Sequence, residues 1–97
     1  MNVDTTTHLS MDSFGAIADP SRRAILNLLS TGNRSINTIA GNFNTSRQAI
    51  SKHIKVLNNT GFVRIEEVGR TRICSLNTAG FNEIKAWVNF FEHHLTP

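Results

Sequence analysis

The run at residues 45–57, TSRQAISKHIKVL, constrains this chain more than any other segment. Ile50, Ile54 and Leu57 recur at i, i+4 and i+7, the interval that stacks side chains on one face of an α-helix. Turning about 100° per residue away from Ile50 brings Gln48, Lys52 and Lys55 to the opposite face, with Ser51 beside them. No acidic residue interrupts that face. One side therefore docks on a core while the other offers positive charge and hydrogen-bonding groups. A helix entering the DNA major groove needs that combination. Thr45 with Gln48 three residues on reads as a capping box opening this helix. Asn59-Thr60-Gly61 closes it, giving a helix at about 46–59.

The flanking segments fit round this helix. Met11, Phe14 and Ile17, at spacing three, mark a short helix at about 10–17. Asp19 is an N-cap with Pro20 in the first helical position, and the helix they open carries Ala24, Ile25, Leu28 and Leu29 to a stop near Thr31-Gly32. A short helix at about 36–42 turns Ile36, Ile39, Ala40 and Phe43 inward, and Asn44-Thr45 is the turn leading to the long helix. Beyond Gly61, strands at about 62–67 and 70–76 form a hairpin with its tip at Val68-Gly69, where Val63 and Ile65 alternate with Arg64 and Glu66. Asn77 caps a last helix at about 78–95. The fold class is mainly α with a small β-hairpin, in the order α-α-α-α-β-β-α: a winged helix-turn-helix. Residues 1–9 are polar and read as a mobile tail, with 10–97 as one DNA-binding and dimerisation domain.

Charge placement supports a polyanionic partner. The net charge is +3 over 97 residues. Residues 45–72 hold six basic groups against two acidic ones, whereas the rest holds four against five. The positive excess thus lies in the helix and hairpin. A single cysteine, Cys74, forms no intrachain disulfide, and this suits a reducing cytoplasm. Neither a signal peptide nor a run of the ~18 apolar residues needed to span a membrane is visible. No catalytic constellation is present: Cys74 has no nearby His in sequence, and Ser51 has no recognisable base. The expectation is a non-enzymatic cytoplasmic protein with no cofactor and no membrane partner.

Residues 18–26 (ADPSRRAIL), 49–57 (AISKHIKVL), 61–63 (GFV) and 69–72 (GRTR), in this order, resemble the ArsR/SmtB family of small bacterial repressors. The resemblance runs from about Phe14 to Leu95. It implies a homodimer built through the first and last helices, binding to a near-palindromic operator, and release by an inducer. The last helix agrees independently, since Phe81, Ile84, Trp87, Val88, Phe91 and Leu95 make a stripe too broad for a small domain to cover alone. With Phe14 and Ile17 of the first helix, Phe81, Ile84, Trp87, Val88 and Phe91 are the expected dimer contacts.

The expected DNA contacts follow from position. Backbone amides near Ser46, and Lys52 or Lys55, face phosphates. Arg47, Gln48 and Ser51 stand early on the exposed face and suit base edges, Arg matching guanine and Gln adenine. Arg70 and Arg72 bring the wing to the flanking backbone or minor groove. Two of these positions admit another reading. Arg47 lies roughly 60° from the core face, so its stem can pack. His53 flanks the apolar stripe and suits semi-burial as well as DNA contact. Arg22 and Arg23 open the second helix, placed to pair with acids or touch phosphate.

No metal site is expected. In relatives that sense metals, two cysteines one residue apart open the third helix; here Ser35 and Asn37 stand there. A second metal site of the family corresponds to Glu83 and His94, but its other two positions are Phe81 and Pro97. A four-coordinate site would need Glu83 and His94 from both protomers. Cys74, without a second thiol, suits a small buried hydrophobe better than a redox sensor. The alternatives to a DNA-binding regulator are a winged helix used for protein contacts, or a sensor variant using Glu83 and His94 or Cys74. The identity of an inducer or protein partner is not written in the chain.

Overall fold

Short polar side chains decide where the helices begin, three of them at the helices that start at Ser13, Pro20 and Arg47. Asp12 accepts from the Gly15 N–H at 2.8 Å, Asp19 from Arg22 N–H at 3.0 Å, and Ser46 from Ala49 N–H at 3.1 Å. Each satisfies a donor that the first turn of a helix leaves unpaired. The computed structural model describes residues 11–95, and the expected mobile tail at 1–9 lies outside them. The elements are α1 (Ser13–Ala18), α2 (Pro20–Leu29), β1 (Arg34–Ser35), α3 (Ile36–Gly41), α4 (Arg47–Asn59), β2 (Val63–Val68), β3 (Thr71–Leu76) and α5 (Thr78–Leu95). This is the winged helix-turn-helix order, with α3 and α4 as the helix pair and β2–β3 as the wing.

Two local expectations are corrected. Ser46, not Thr45, is the N-cap of α4, because its hydroxyl holds Ala49 N–H while its carbonyl already receives the Ile50 N–H at 3.1 Å. The capping box expected between Thr45 and Gln48 therefore does not form, and Gln48 stays exposed. The second correction is β1, a third strand of only two residues. It pairs antiparallel with β3, Arg34 opposite Cys74 and Ser35 opposite Ile73, giving the sheet order β1-β3-β2. Ser35 then caps α3 by accepting from Thr38 N–H at 3.0 Å.

The core lies where the helices meet the sheet. Ile25, Leu26 and Leu29 of α2, Ile36 and Ile39 of α3, and Ile50, Ile54 and Leu57 of α4 are buried together with Phe62, Val63 and Cys74. The apolar stripe of α4 is thus docked on three elements, and its polar face is left outward. At the wing tip, Gly69 adopts φ +64° and Arg70 has no positive φ, the pattern of a two-residue type II′ hairpin turn.

Phe62 joins the pieces. Its N–H donates to the Leu57 carbonyl at 2.9 Å, its own carbonyl accepts from Asn77 N–H at 2.8 Å, and its ring meets Phe81 edge to face at 4.8 Å. The start of α5 approaches so closely that Gly80 N–H donates to the Gly61 carbonyl at 2.8 Å. A Cβ on Gly80 would fall 2.8 Å from the buried Phe62 ring, closer than atoms can pack. Gly80→Ala is therefore expected to cost about 1–3 kcal/mol through overpacking. Chemical denaturation of the variant measures this, and an unchanged midpoint would contradict the tight contact.

Candidate nucleic-acid interface

The outward face of α4 carries Gln48, Lys52 and Lys55 exposed and Ser51 half-buried. Ser46 and Arg47, at the entering end, are exposed as well. The wing lies beside this face. Ser51 and Lys55 share one cleft with Arg72 of β3, floored by Ile54 and Ile65. A second, smaller hollow brings Arg47 together with Arg70 and Arg72. Helix and wing thus form a continuous cationic surface. Arg72 also meets Glu67 across the hairpin at 3.9 Å, an exposed pair of little energetic weight.

Of the two readings its position allowed, Arg47 does not take the packed one. Its stem does not pack into the core; its Nε donates to Asn37 Oδ1 of α3, which ties the two helices of the helix-turn-helix together. His53 lies on the other flank. It is half-buried at the start of α2, with Nδ1 at 3.9 Å from Asp19 Oδ2 and 3.3 Å from an Arg22 guanidinium nitrogen. The structure does not bring it to the cationic face.

Arg22 and Arg23 do something their sequence position did not disclose. Arg22 donates to the carbonyls of Gly15 and Ala16 at 3.3 and 2.7 Å, and Arg23 to those of Ile17 and Ala18 at 2.7 and 3.1 Å. These are the last four carbonyls of α1, which have no partner within the helix. The two arginines are a cap for α1. The signal available beforehand was the tight α1–α2 junction at Asp19-Pro20, which brings the second helix back against the end of the first.

The positions weighed for sensing are occupied by structural contacts. Ser13 donates to Glu83 Oε1 at 2.6 Å, linking α1 to α5. His94 packs at 5.6 Å from the Phe90 ring. Cys74 is fully buried in β3, and this burial pushes its thiol up, partly opposed by Arg72.

α5 presents an unusual outer surface. Trp87, Phe90 and Leu95 are 55%, 62% and 77% exposed, and Phe81, Val88 and Phe91 are exposed too. The rings form a chain in which Phe14 of α1 meets Trp87 at 5.5 Å, Trp87 meets Phe91 at 5.0 Å and Phe91 meets Phe90 at 5.0 Å. Ile17 and Ile84 are partly buried beneath the surface. Phe90 was not among the expected contacts. It stands three residues after Trp87, at the edge of the stripe away from Val88, and the breadth of the exposed face includes it. Among the described residues, no helix is long and apolar enough to cross a membrane.

Residues 19–64, which run from the α2 cap into the wing, match the bacterial regulatory proteins of the arsR family. The chain is 36% identical over 75 residues to the transcriptional repressor SdpR of Bacillus subtilis, covering 77% of this chain and 83% of that protein. This chain belongs to the ArsR family. The HTH-type transcriptional regulator Rv2034 of Mycobacterium tuberculosis is 31% identical to this ArsR-family protein over 87 residues, or 89% and 81% of the two chains. A crystal structure of an ArsR family transcriptional regulator superposes with a TM-score of 0.77 at 33% identity, over 84% of each chain. A homodimeric winged helix-turn-helix DNA-binding domain from Mycobacterium bovis shares the fold, with a TM-score of 0.66 at 22% identity over 88% and 83% of the two chains. The ArsR-family chain is accordingly a transcriptional regulator with a winged-helix DNA-binding domain, and not an enzyme.

The junction beside His53 allows a pH test. The Arg22 N–H bonded to Asp19 holds its carboxyl below the usual carboxylate range against the opposing effect of partial burial, with Arg22 and His53 charges adding to it. A lowered carboxyl stabilises the fold above its unfolded value of about 3.9, and that contribution is lost as pH falls through the folded value. Asp19→Ala should therefore cost about 1 kcal/mol at neutral pH, with the gap to wild type closing in acid. Urea unfolding at several pH values measures the gap, and one that stayed constant into acid would contradict the cap.

Proposed function

We propose that this ArsR-family protein is a homodimeric repressor acting on a near-palindromic double-stranded operator. Each protomer lays α4 in a major groove, with Gln48 and Ser51 at base edges and Arg47 at the entering end. Ser46, Lys52 and Lys55 meet phosphates, and Arg70 and Arg72 meet the flanking backbone or minor groove. His53 contributes by holding α4 against the α2 cap, with any DNA contact secondary. The observation that carries this reading is the acid-free exposed face of α4 lying beside the arginine-bearing wing. Repression is supported by the relative SdpR, a transcriptional repressor.

Dimerisation is supported by the exposed rings of α5. Trp87, Val88 and Phe91, extended by Phe81 and Ile84 and flanked by Phe14 and Ile17 of α1, would be covered by the same surface of a second copy. An isologous two-fold contact presents two α4 helices to half-sites about one helical turn apart. The Mycobacterium bovis domain that shares the fold is itself homodimeric, which supports a two-copy assembly. Val88 is exposed and outside the core, so Val88→Glu should leave the protomer folded while breaking the dimer. Sedimentation should then show a monomer with operator binding lost; a variant that remained dimeric would remove α5 from the interface.

Salt-titrated binding to a duplex selected from a random library, compared with a scrambled duplex, separates the DNA contacts. Gln48→Ala should cost roughly 1–3 kcal/mol on the selected duplex and little on the scrambled one. Lys52→Ala should weaken both alike and lower the salt slope by about 0.9 per protomer. Equal losses on both duplexes for Gln48→Ala would end its base-reading role, and no retention of wild type at low salt would end the DNA reading.

A further inference from the structure

The smaller hollow between α4 and the wing has a composition that the general cationic surface does not explain. Arg47 enters it from the first turn of α4, Arg70 from the hairpin turn and Arg72 from β3, and no carboxylate lines it. Like charges converging on one space repel unless an anion lies between them. Asn37, also on its wall, receives a hydrogen bond from Arg47 Nε. Of the five N–H donors of a guanidinium, this uses one and leaves the four on the terminal nitrogens free. Arg47 is thus fixed in direction without being neutralised. Glu67 approaches only Arg72, from outside the hollow and in an exposed pair.

We propose that this hollow seats one phosphodiester group of the DNA backbone, shared by Arg47, Arg70 and Arg72 and oriented by Asn37. The proposal rests on the docking described under Proposed function and deepens it. With α4 in a major groove and the wing at the adjacent minor groove, the strand dividing the two grooves crosses between them, where the hollow lies. A phosphodiester monoanion with two free oxygens matches arginine forks arriving from several sides. Arg47 then serves register rather than sequence, and base reading belongs to Gln48 and Ser51. Asn37 is a positioning residue that acts through Arg47.

Counterion release counts phosphates neutralised, not arginines present, at about 0.9 in the slope of log K against log salt for each phosphate. On a random-sequence duplex, the combined Arg47→Ala, Arg70→Ala, Arg72→Ala variant should lower the slope by about 0.9 per protomer if one phosphate is shared. Three separate contacts would lower it by about 2.7. Each single variant should reduce affinity and leave the slope nearly unchanged, because the remaining arginines still neutralise the group. Asn37→Ala should weaken binding several-fold in the wild-type background and have no further effect once Arg47 is Ala. All three arginines are exposed, so the variants should stay folded, with thermal unfolding lowered only slightly by loss of the exposed Arg47–Asn37 and Arg72–Glu67 contacts. A fall near 2.7, no change in slope for the triple variant, or additive losses for Asn37 and Arg47 would overturn the shared seat while leaving DNA docking intact. A wild-type protein that showed no salt-dependent binding would overturn the docking itself.

Discussion

Phe62 is the contact on which the relation between the helices and the wing depends. Its amide closes the end of α4, its carbonyl anchors the residue that opens α5, and its ring fills the space between the core and the first turn of α5. A single buried aromatic thereby fixes the exit from the recognition helix, the first residue of the wing and the entry to the long terminal helix. Gly61 and Gly80 permit this because neither interposes a side chain where the two backbones meet. Had either carried one, α5 would stand off from the body, and the wing would lose its fixed angle to α4.

The parts of this fold that were legible in the sequence are those set by a repeated local rule. Ile50, Ile54 and Leu57 repeat at the helical interval, and Asp19-Pro20 is a start signal strong enough to stand alone. The parts that were not legible depend on partners distant in the chain. A two-residue strand has no alternation to detect, and β1 exists only because β3 offers Cys74 and Ile73 opposite it. Thr45 and Ser46 are adjacent and both able to cap, so the choice fell to which carbonyl could also begin the helical ladder. Arg22 and Arg23 look like surface cations when read along the chain. Their task is set by the return of α2 against the end of α1.

The candidate DNA face was legible in its residue types and less so in its arrangement. The spacing in α4 separates core from solvent, but it says nothing of how far the wing lies from Arg47. That distance follows from α3, because Ser35 leaves β1 beside β3 and Asn37, two residues on, bonds Arg47. The short third helix thus sets the separation between recognition helix and wing, although it supplies little of the cationic surface itself. The α5 face shows the converse: the sequence marked its aromatic stripe, while the extent of exposure, including Phe90, emerged only once α1 and the core were in place.

The capping of α1 by Arg22 and Arg23 has an electrostatic consequence beyond that helix. Two of the ten basic side chains are turned onto backbone carbonyls, so their charge is partly absorbed by the helix end they close. Six of the eight that remain lie on α4 and the wing, with the acidic groups spread mostly elsewhere. The chain is therefore strongly polarised as well as positively charged. In the field of a polyanion such a molecule experiences a torque as well as an attraction, and the end bearing α4 turns forward before any atom touches. Orientation at encounter is thus set partly by two arginines that lie outside the surface they help to define.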